Sequence, residues 1–137
     1  MKSDHPVFIA EGNEALLDGL AAIISQEPGY RVAGTASTGH DLVHKASICT
    51  PEVFLLDIDL PLFNALQESK AIMSINSSLK VVILSNDCEN SLVKRLLACG
   101  IKGCLRKTCD ANELFFALKQ VIGGKAYFSG IKTGDSS

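Results

Sequence analysis

Polar side chains follow four short apolar runs in this sequence. Each run leads directly into residues that can bind a ligand: Glu11 after 7–10, Asp57 after 53–56, Ser85 after 81–84, and Arg106 and Lys107 after 103–105. Two acids, a hydroxyl and cationic side chains could together bind a charged ligand. None of them is specific alone, since Asp and Ser also commonly cap helix N-termini.

The elements that would position these residues are short strands alternating with helices. The runs at 7–10, 53–56 and 81–84 are continuously apolar, which is typical of strands buried on both faces of a parallel sheet. Stripes of apolar residues at helical spacing lie between the runs. Right-handed crossovers then predict an α/β fold with a doubly wound, five-stranded parallel sheet and flanking helices. Ligands bind such sheets at the carboxyl ends of the strands, where the polar residues are expected to meet.

Length and composition restrict the class of protein. The 137 residues suffice for one domain, and a hydrophobic fraction of 47% supports a real core. No apolar run approaches the ~18–20 residues that a membrane span needs. A formal net charge of −2 argues against nucleic-acid binding by this domain. We therefore expect a soluble cytoplasmic domain that contacts neither a membrane nor nucleic acid directly.

The five cysteines indicate neither a zinc site nor a redox motif. They lie at positions 49, 88, 99, 104 and 109, and no two of them form a C-x-x-C pair. Several fall in apolar stretches, where cysteine behaves as a small hydrophobic residue. We expect reduced, partly buried thiols in a reducing compartment.

Four stretches carry a resemblance to a known family. They are LLDIDLP at 55–61, VILS at 82–85, CGIKGCLRK at 99–107 and LKQVIGGKAY at 118–127. The chain resembles, over residues 5–128, the receiver domain of bacterial two-component response regulators in the NarL/FixJ (LuxR-type) branch. The resemblance implies a flavodoxin-like receiver fold with strand order 2-1-3-4-5. Residues 1–128 are then predicted to form the receiver, and residues 129–137 a linker or flexible tail.

The resemblance also implies a role for each residue at the sheet edge. Asp57 is the expected phosphoacceptor, which takes a phosphoryl group from a phosphohistidine of a sensor histidine kinase. Ser85 is expected to hydrogen-bond the phosphoryl oxygen, and Lys107 to place a positive charge against it. Mg²⁺ is the expected cofactor, with Glu11, Asp57 and Asp59 as candidate ligands. Phosphorylation would bias a surface formed by the fourth and fifth helices and the strand between them, so the domain is expected to relay a signal and not to act as an enzyme.

Three positions bear on how far this chain follows the family's pattern. Members of the family carry two adjacent acids after the first strand, but here Glu11 is followed by Gly12, which has no side-chain oxygen. Weaker Mg²⁺ binding is therefore expected. The acid at Asp59 either replaces the lost charge or repels the phosphoryl donor. Cys104 stands three residues before Lys107, at the switch position where an aromatic side chain often swings on activation.

Two functions of different class follow from these residues. The first is a phosphorylatable receiver that controls a transcription output; any DNA contact is expected through a helix-turn-helix domain beyond the linker. The second is a degenerate receiver that serves as a phosphorylation-independent interaction or dimerisation module. A second copy of the chain, in a homodimer, is a possible partner. Asp57, Ser85 and Lys107 favour the first function, whereas Gly12 and Cys104 favour the second. An α/β enzyme acting on a small phosphorylated substrate has less support, because no phosphate-cradling loop is present.

Overall fold

The computed structural model describes residues 4–61, 64–75 and 78–130. Strands and helices alternate throughout these residues. In chain order they are β1 (His5–Ala10), α1 (Glu14–Gln26), β2 (Tyr30–Ala36), α2 (Gly39–Ala46), β3 (Val53–Asp57), α3 (Ala65–Ile75), β4 (Lys80–Ser85), α4 (Asn90–Ala98), β5 (Gly103–Arg106), α5 (Ala111–Ile122) and β6 (Tyr127–Phe128).

The strands form one sheet in the order β2-β1-β3-β4-β5-β6, and every neighbouring pair is parallel. The predicted α/β fold and the order 2-1-3-4-5 are confirmed. The predicted number of five strands was too small, because β6 adds a sixth at the edge of β5. Its two residues, Tyr127 and Phe128, pair with Gly103 and Cys104 and are too few to give a strand signal in the sequence.

Strands β1, β3, β4 and β5 bury side chains on both faces of the sheet. Along β1, Val7 and Ile9 face a cluster that includes α1 and α5, whereas Phe8 and Ala10 face a second cluster with α2, α3 and α4. Strand β3 is buried along its whole length. This two-sided burial explains why the strands appear in the sequence as continuous apolar runs.

Two polar side chains and one glycine define three of the helix ends. The Asn13 side chain accepts a hydrogen bond from the Leu16 backbone N–H at 3.1 Å, which caps α1. Helix α4 is followed by Gly100 at φ +83°, a left-handed conformation that glycine adopts without strain. Asp110 caps α5 by accepting from the Glu113 N–H at 2.8 Å.

The segment after α5 is held on β5 by side-chain hydrogen bonds. The Glu113 carboxylate accepts from the Tyr127 hydroxyl at 2.6 Å and from the Ser129 hydroxyl at 2.7 Å. Ser129 is itself buried and accepts from the Arg106 N–H. Residues 131–137 of the predicted tail lie outside the described residues, and the domain boundary at residue 128 stays a prediction.

Gly103 lies where β5 packs most closely against β4 and α5. A Cβ atom at this position would lie 2.8 Å from Val82 Cγ2 and 3.3 Å from the Val82 Cα atom. Because backbone cannot move aside as a flexible side chain can, we expect Gly103→Ala to lower the free energy of unfolding by about 1–3 kcal/mol. Chemical denaturation followed by circular dichroism measures this change.

Gly19→Ala provides the matched control for that substitution. Gly19 lies on the exposed side of α1, and a Cβ atom there meets nothing within 4 Å. Alanine at this position should stabilise the domain by about 0.5–1 kcal/mol, because glycine is a poor helix former. Equal and small effects of the two substitutions would contradict the close packing described for Gly103.

Candidate functional site

The carboxyl edge of the sheet brings the polar residues singled out in the sequence into one place. Glu11 follows β1, Asp57 is the last residue of β3, and Ser85 is the last residue of β4. Lys107 follows β5 and is fixed there because its backbone N–H donates to the Ser85 carbonyl at 2.9 Å. Since β1, β3, β4 and β5 are consecutive neighbours in the sheet, residues distant in sequence share one pocket.

Lys107 joins the two acids of the pocket. Its Nζ atom lies 2.8 Å from Asp57 Oδ1 and 3.1 Å from Glu11 Oε2. Glu11 is fully buried and Asp57 is 3% exposed. Hydrogen bonds between ionised groups in such a partly dehydrated site are stronger than those between neutral groups. The three side chains therefore form one charged cluster with a single cation between two carboxylates.

The Asp57 carboxylate receives two further hydrogen bonds from backbone. Gly12 N–H donates to Oδ2 at 3.1 Å, and Asp59 N–H donates to Oδ1 at 2.9 Å. Burial by itself would raise the pKa of Asp57. The hydrogen bond from Lys107 and the two backbone donors outweigh burial and hold that pKa below its usual value. Asp57 is consequently a carboxylate at neutral pH.

Glu11 is held differently, although it shares the same cation. Burial is the main effect and raises the pKa of Glu11, with the Asn13 N–H and Lys107 acting in the opposite direction. The Asn13 N–H and Lys107 both contact Oε2. The other oxygen, Oε1, is buried and has no hydrogen-bond partner among the described residues. The pocket thus contains one acceptor that is available to a ligand.

The Ser85 hydroxyl lies at the pocket but is engaged elsewhere. It donates to the Asp87 carbonyl at 2.8 Å and accepts from the Asp87 N–H at 3.3 Å. These bonds close a short turn between β4 and α4. The hydroxyl must leave Asp87 before it can donate to a group bound at Asp57.

A family model for the response regulator receiver domain matches residues 7–119. The chain belongs to this family. The receiver is 29% identical over 121 residues to the transcriptional regulatory protein DegU of Brevibacillus brevis, an alignment that covers 88% of this chain and 51% of DegU. It is 28% identical over 123 residues to the transcriptional regulatory protein DesR of Bacillus subtilis (strain 168), covering 90% of this chain and 61% of DesR.

The predicted NarL/FixJ-type resemblance is confirmed by these relatives, of which the receiver spans a little over half the length. A LuxR-family response regulator from Aurantimonas sp. SI85-9A1 has the same fold, with a TM-score of 0.84 and 19% identity over 93% of this chain and 91% of that one. The isolated receiver domain of RcsB from Salmonella enterica serovar Typhimurium, studied with the phosphomimetic BeF3−, has a TM-score of 0.82 and 20% identity over 93% and 95% of the two chains. At these identities the likeness establishes the fold.

Gly12, which replaces the second acid of the family, is enclosed by a residue that sequence reasoning missed. A Cβ atom on Gly12 would lie 3.0 Å from Pro61 Cδ and 3.4 Å from Asp57 Oδ2. Pro61 therefore occupies space next to a missing side chain. The sequence places Pro61 in the loop after β3 but gives no sign of this contact, because it depends on how the loop folds back.

The receiver's residues provide two carboxylates for a cation. Asp59 is exposed, and it is its backbone N–H that reaches Asp57. Across residues 4–61, 64–75 and 78–130, no three His, Cys, Asp or Glu side chains form a group that could hold a metal ion. Mg²⁺ needs only one or two protein carboxylates when water and phosphate oxygens complete its shell. Glu11 and Asp57, with the buried Glu11 Oε1 atom that lacks a hydrogen-bond partner among the described residues, fit such a weakly held ion.

Cys104, the residue at the switch position, is fully buried in β5. Its Sγ atom lies 2.7 Å from Sγ of Cys88, which precedes α4. Phe128 of β6 pairs with Cys104 and belongs to the same buried cluster. An aromatic side chain is thus present near the switch position, supplied by the segment after α5 and not by β5.

In the described part of the receiver, no helix is long and apolar enough to span a membrane.

Proposed function

We propose that the receiver accepts a phosphoryl group on Asp57 from a sensor histidine kinase, and that phosphorylation of Asp57 changes an interaction surface of the domain. The observation that carries this proposal is the contact of Lys107 Nζ with Asp57 Oδ1 at 2.8 Å in a buried pocket. This contact keeps one carboxylate ionised and places a fixed cation beside it. An ionised carboxylate at the end of a strand is suited to nucleophilic attack on phosphorus.

The transfer uses groups that the pocket already holds. An oxygen of Asp57 forms the new P–O bond while the P–N bond to the kinase histidine breaks, and the histidine nitrogen leaves with the electron pair. Lys107 then balances the added negative charge, because its pKa is raised: burial lowers it, but the hydrogen bonds to Asp57 and Glu11 prevail. Bound Mg²⁺, held by Glu11 and Asp57, would supply additional positive charge at the phosphoryl oxygens.

Ser85 connects the pocket with the surface. Its hydroxyl would exchange Asp87 for a phosphoryl oxygen, which opens the turn that leads into α4. A phosphoryl oxygen is a strong hydrogen-bond acceptor, and a new hydrogen bond from the Ser85 hydroxyl to it can shift the loop between two conformations. The surface that responds is then α4, β5 and the segment carrying Phe128.

We further propose that the receiver belongs to a longer cytoplasmic regulator of transcription. The relatives DegU and DesR are named as transcriptional regulatory proteins, and the receiver covers 51% and 61% of them. DNA would be contacted by the remaining part of such a protein, because this chain carries a formal net charge of −2 and offers no basic excess. This function requires a histidine kinase as a partner, and it permits a second copy of the chain as another.

A second function is favoured by the pocket's departures from the family. Gly12 offers no ligand, Pro61 borders the vacant position, and Lys107 already neutralises part of the charge of both acids. In such a pocket part of the negative charge is compensated without a bound cation. In this alternative the receiver acts as a phosphorylation-independent interaction or dimerisation module.

Intact mass after incubation with acetyl phosphate distinguishes the two functions. We expect a Mg²⁺-dependent gain of about 80 Da, the mass of one phosphoryl group, at a higher Mg²⁺ concentration than a receiver with both acids needs. Asp57→Asn is isosteric and should remove the gain completely. Gain of mass in Asp57→Asn would contradict the assignment of the acceptor. Absence of any gain at saturating Mg²⁺, with a phosphorylated histidine kinase also tried, would favour the second function.

A further inference from the structure

Two buried thiols lie in contact at the boundary between β5 and the turn before α4. Cys88 is 4% exposed and Cys104 is fully buried, and both are free cysteines. Their Sγ atoms are 2.7 Å apart although the residues are separated by 16 positions. Cysteines 49, 99 and 109 are only partly buried, and no contact between sulfur atoms involves them within the described ranges. The juxtaposition of Cys88 and Cys104 is therefore specific to this pair.

The two thiols have unequal surroundings. The hydrogen bond from Cys104 lowers the pKa of Cys88 and outweighs burial, and the charge of Arg106 adds to this effect. The same contact, together with burial, raises the pKa of Cys104. Cys88 also adjoins the exposed residues Asp87 and Glu89, whereas Cys104 is fully buried in β5. Because the thiolate is the reactive form of cysteine, the lowered pKa and this position both favour Cys88 as the attacking thiol and Cys104 as the resolving thiol.

We propose that Cys88 and Cys104 are a redox modification site that forms a reversible intramolecular disulfide on oxidation by a peroxide. In the first step Cys88 sulfur attacks one peroxide oxygen, the O–O bond breaks, and Cys88 sulfenic acid and one water are formed. In the second step Cys104 sulfur attacks the Cys88 sulfur, the S–O bond breaks, and a second water leaves. Two thiols are oxidised and one hydrogen peroxide is reduced to two waters.

Entry to the site is from the β4–α4 turn. Asp87 and Glu89 on either side of Cys88 are exposed, so Cys88 is the member that a small oxidant reaches first. Cytosolic disulfides are usually transient and redox-sensing, and a reducing compartment would return this pair to thiols. The disulfide would tie the turn that holds Ser85 to the strand that pairs with Phe128. This site is independent of whether Asp57 accepts a phosphoryl group.

Peptide mapping of the full chain tests the proposal without any substitution. Each of the five cysteines lies in a different tryptic peptide. After hydrogen peroxide treatment, alkylation of remaining thiols and non-reducing digestion, we expect the peptide of residues 81–94 linked to that of residues 103–106. The intact chain should lose about 2 Da, the mass of two hydrogens, and dithiothreitol should restore it.

Substitutions sharpen the assignment. Cys88→Ala should abolish the linked peptide and the loss of 2 hydrogens, whereas Cys99→Ala, at a partly buried position nearby in sequence, should retain both. The proposal is overturned if peroxide leaves the peptides of residues 81–94 and 103–106 alkylated and unlinked in the native chain. It is equally overturned if Cys88 pairs with Cys99, Cys109 or another copy of the chain.

Discussion

Lys107→Ala is expected to lower the free energy of unfolding by about 3 kcal/mol near neutral pH, because two buried carboxylates then lose their shared cation. Glu11 and Asp57 are 0% and 3% exposed, and Lys107 forms an ion pair with each of them. This expected loss is at the low end of the range for breaking a buried ion pair, because the Lys107 side chain is itself 17% exposed. Chemical denaturation measures the loss, with exposed Lys94→Ala as the matched control.

The pH dependence of this loss has a definite sign. In the native receiver the pKa of Asp57 is lower than its value of 3.8 in the unfolded chain. Ionised Asp57 therefore stabilises the fold above pH 3.8, and this contribution is lost as the pH falls through the folded pKa. Lys107, with a raised pKa, contributes stability below 10.5 that is lost as pH rises through its folded pKa. In Lys107→Ala both carboxylate pKa values should lie higher than in the native receiver, so this variant loses stability relative to the native receiver as the pH rises through the carboxylate range.

The difference in the free energy of unfolding between the native receiver and Lys107→Ala should therefore be largest between the carboxylate and lysine pKa values, and smallest once the pH falls below the lowered folded pKa of Asp57. Adding Asp57→Asn to Lys107→Ala should recover part of the stability, because only one buried carboxylate remains. Additive losses in the double variant would show that Lys107 and Asp57 do not interact. A pH-independent difference would likewise contradict the charged cluster.

Gly12→Asp is expected to raise the affinity for Mg²⁺ by at least about tenfold, since loss of even an outer partner of a metal ligand changes affinity by about 10–100-fold. The new Cβ lies 3.4 Å from Asp57 Oδ2, so a carboxylate there adjoins the two acids already present. Titration calorimetry with Mg²⁺ measures the change. Gly12→Asn has nearly the same shape without the charge and should not increase the affinity.

The same substitution should destabilise the receiver when no cation is present. The added Cβ would lie 3.0 Å from Pro61 Cδ, and the third carboxylate repels Asp57. Pro61→Ala removes the crowding, so Gly12→Asp with Pro61→Ala should bind Mg²⁺ at least as tightly with a smaller loss of stability. Unchanged Mg²⁺ affinity in both variants would mean that Glu11 and Asp57 do not hold the ion.

The sequence predicts the frame of this receiver because burial on both faces leaves continuous apolar runs. Residues 7–10, 53–56 and 81–84 become central strands, and their ends carry Glu11, Asp57 and Ser85 as expected. What the sequence could not predict depends on contacts between distant segments. The turn that engages Ser85 with Asp87 and the packing of Pro61 beside Gly12 arise from loop geometry.

The cysteines illustrate the same limit. The absence of a C-x-x-C spacing argued against a redox pair and for reduced, partly buried thiols, but parallel strands bring Cys104 of β5 beside the turn that follows β4. Contacts between residues on neighbouring strands cannot be predicted from the spacing of those residues along the chain. Strand β6 was missed for a related reason, since two residues become a strand only because the β5 edge is available to pair with them.

The position of β6 also bears on how copies of this protein avoid aggregating. Tyr127 N–H donates to the Lys102 carbonyl at 2.8 Å, and Ser129 N–H donates to the Cys104 carbonyl at 2.9 Å. Ser129 Oγ accepts from the Arg106 N–H at 3.1 Å. An uncovered strand edge presents such groups to other chains as a template for further strands. The short segment at 127–129 therefore covers the first residues of the β5 edge, and a movement that displaces it would expose these backbone groups to pairing with another chain.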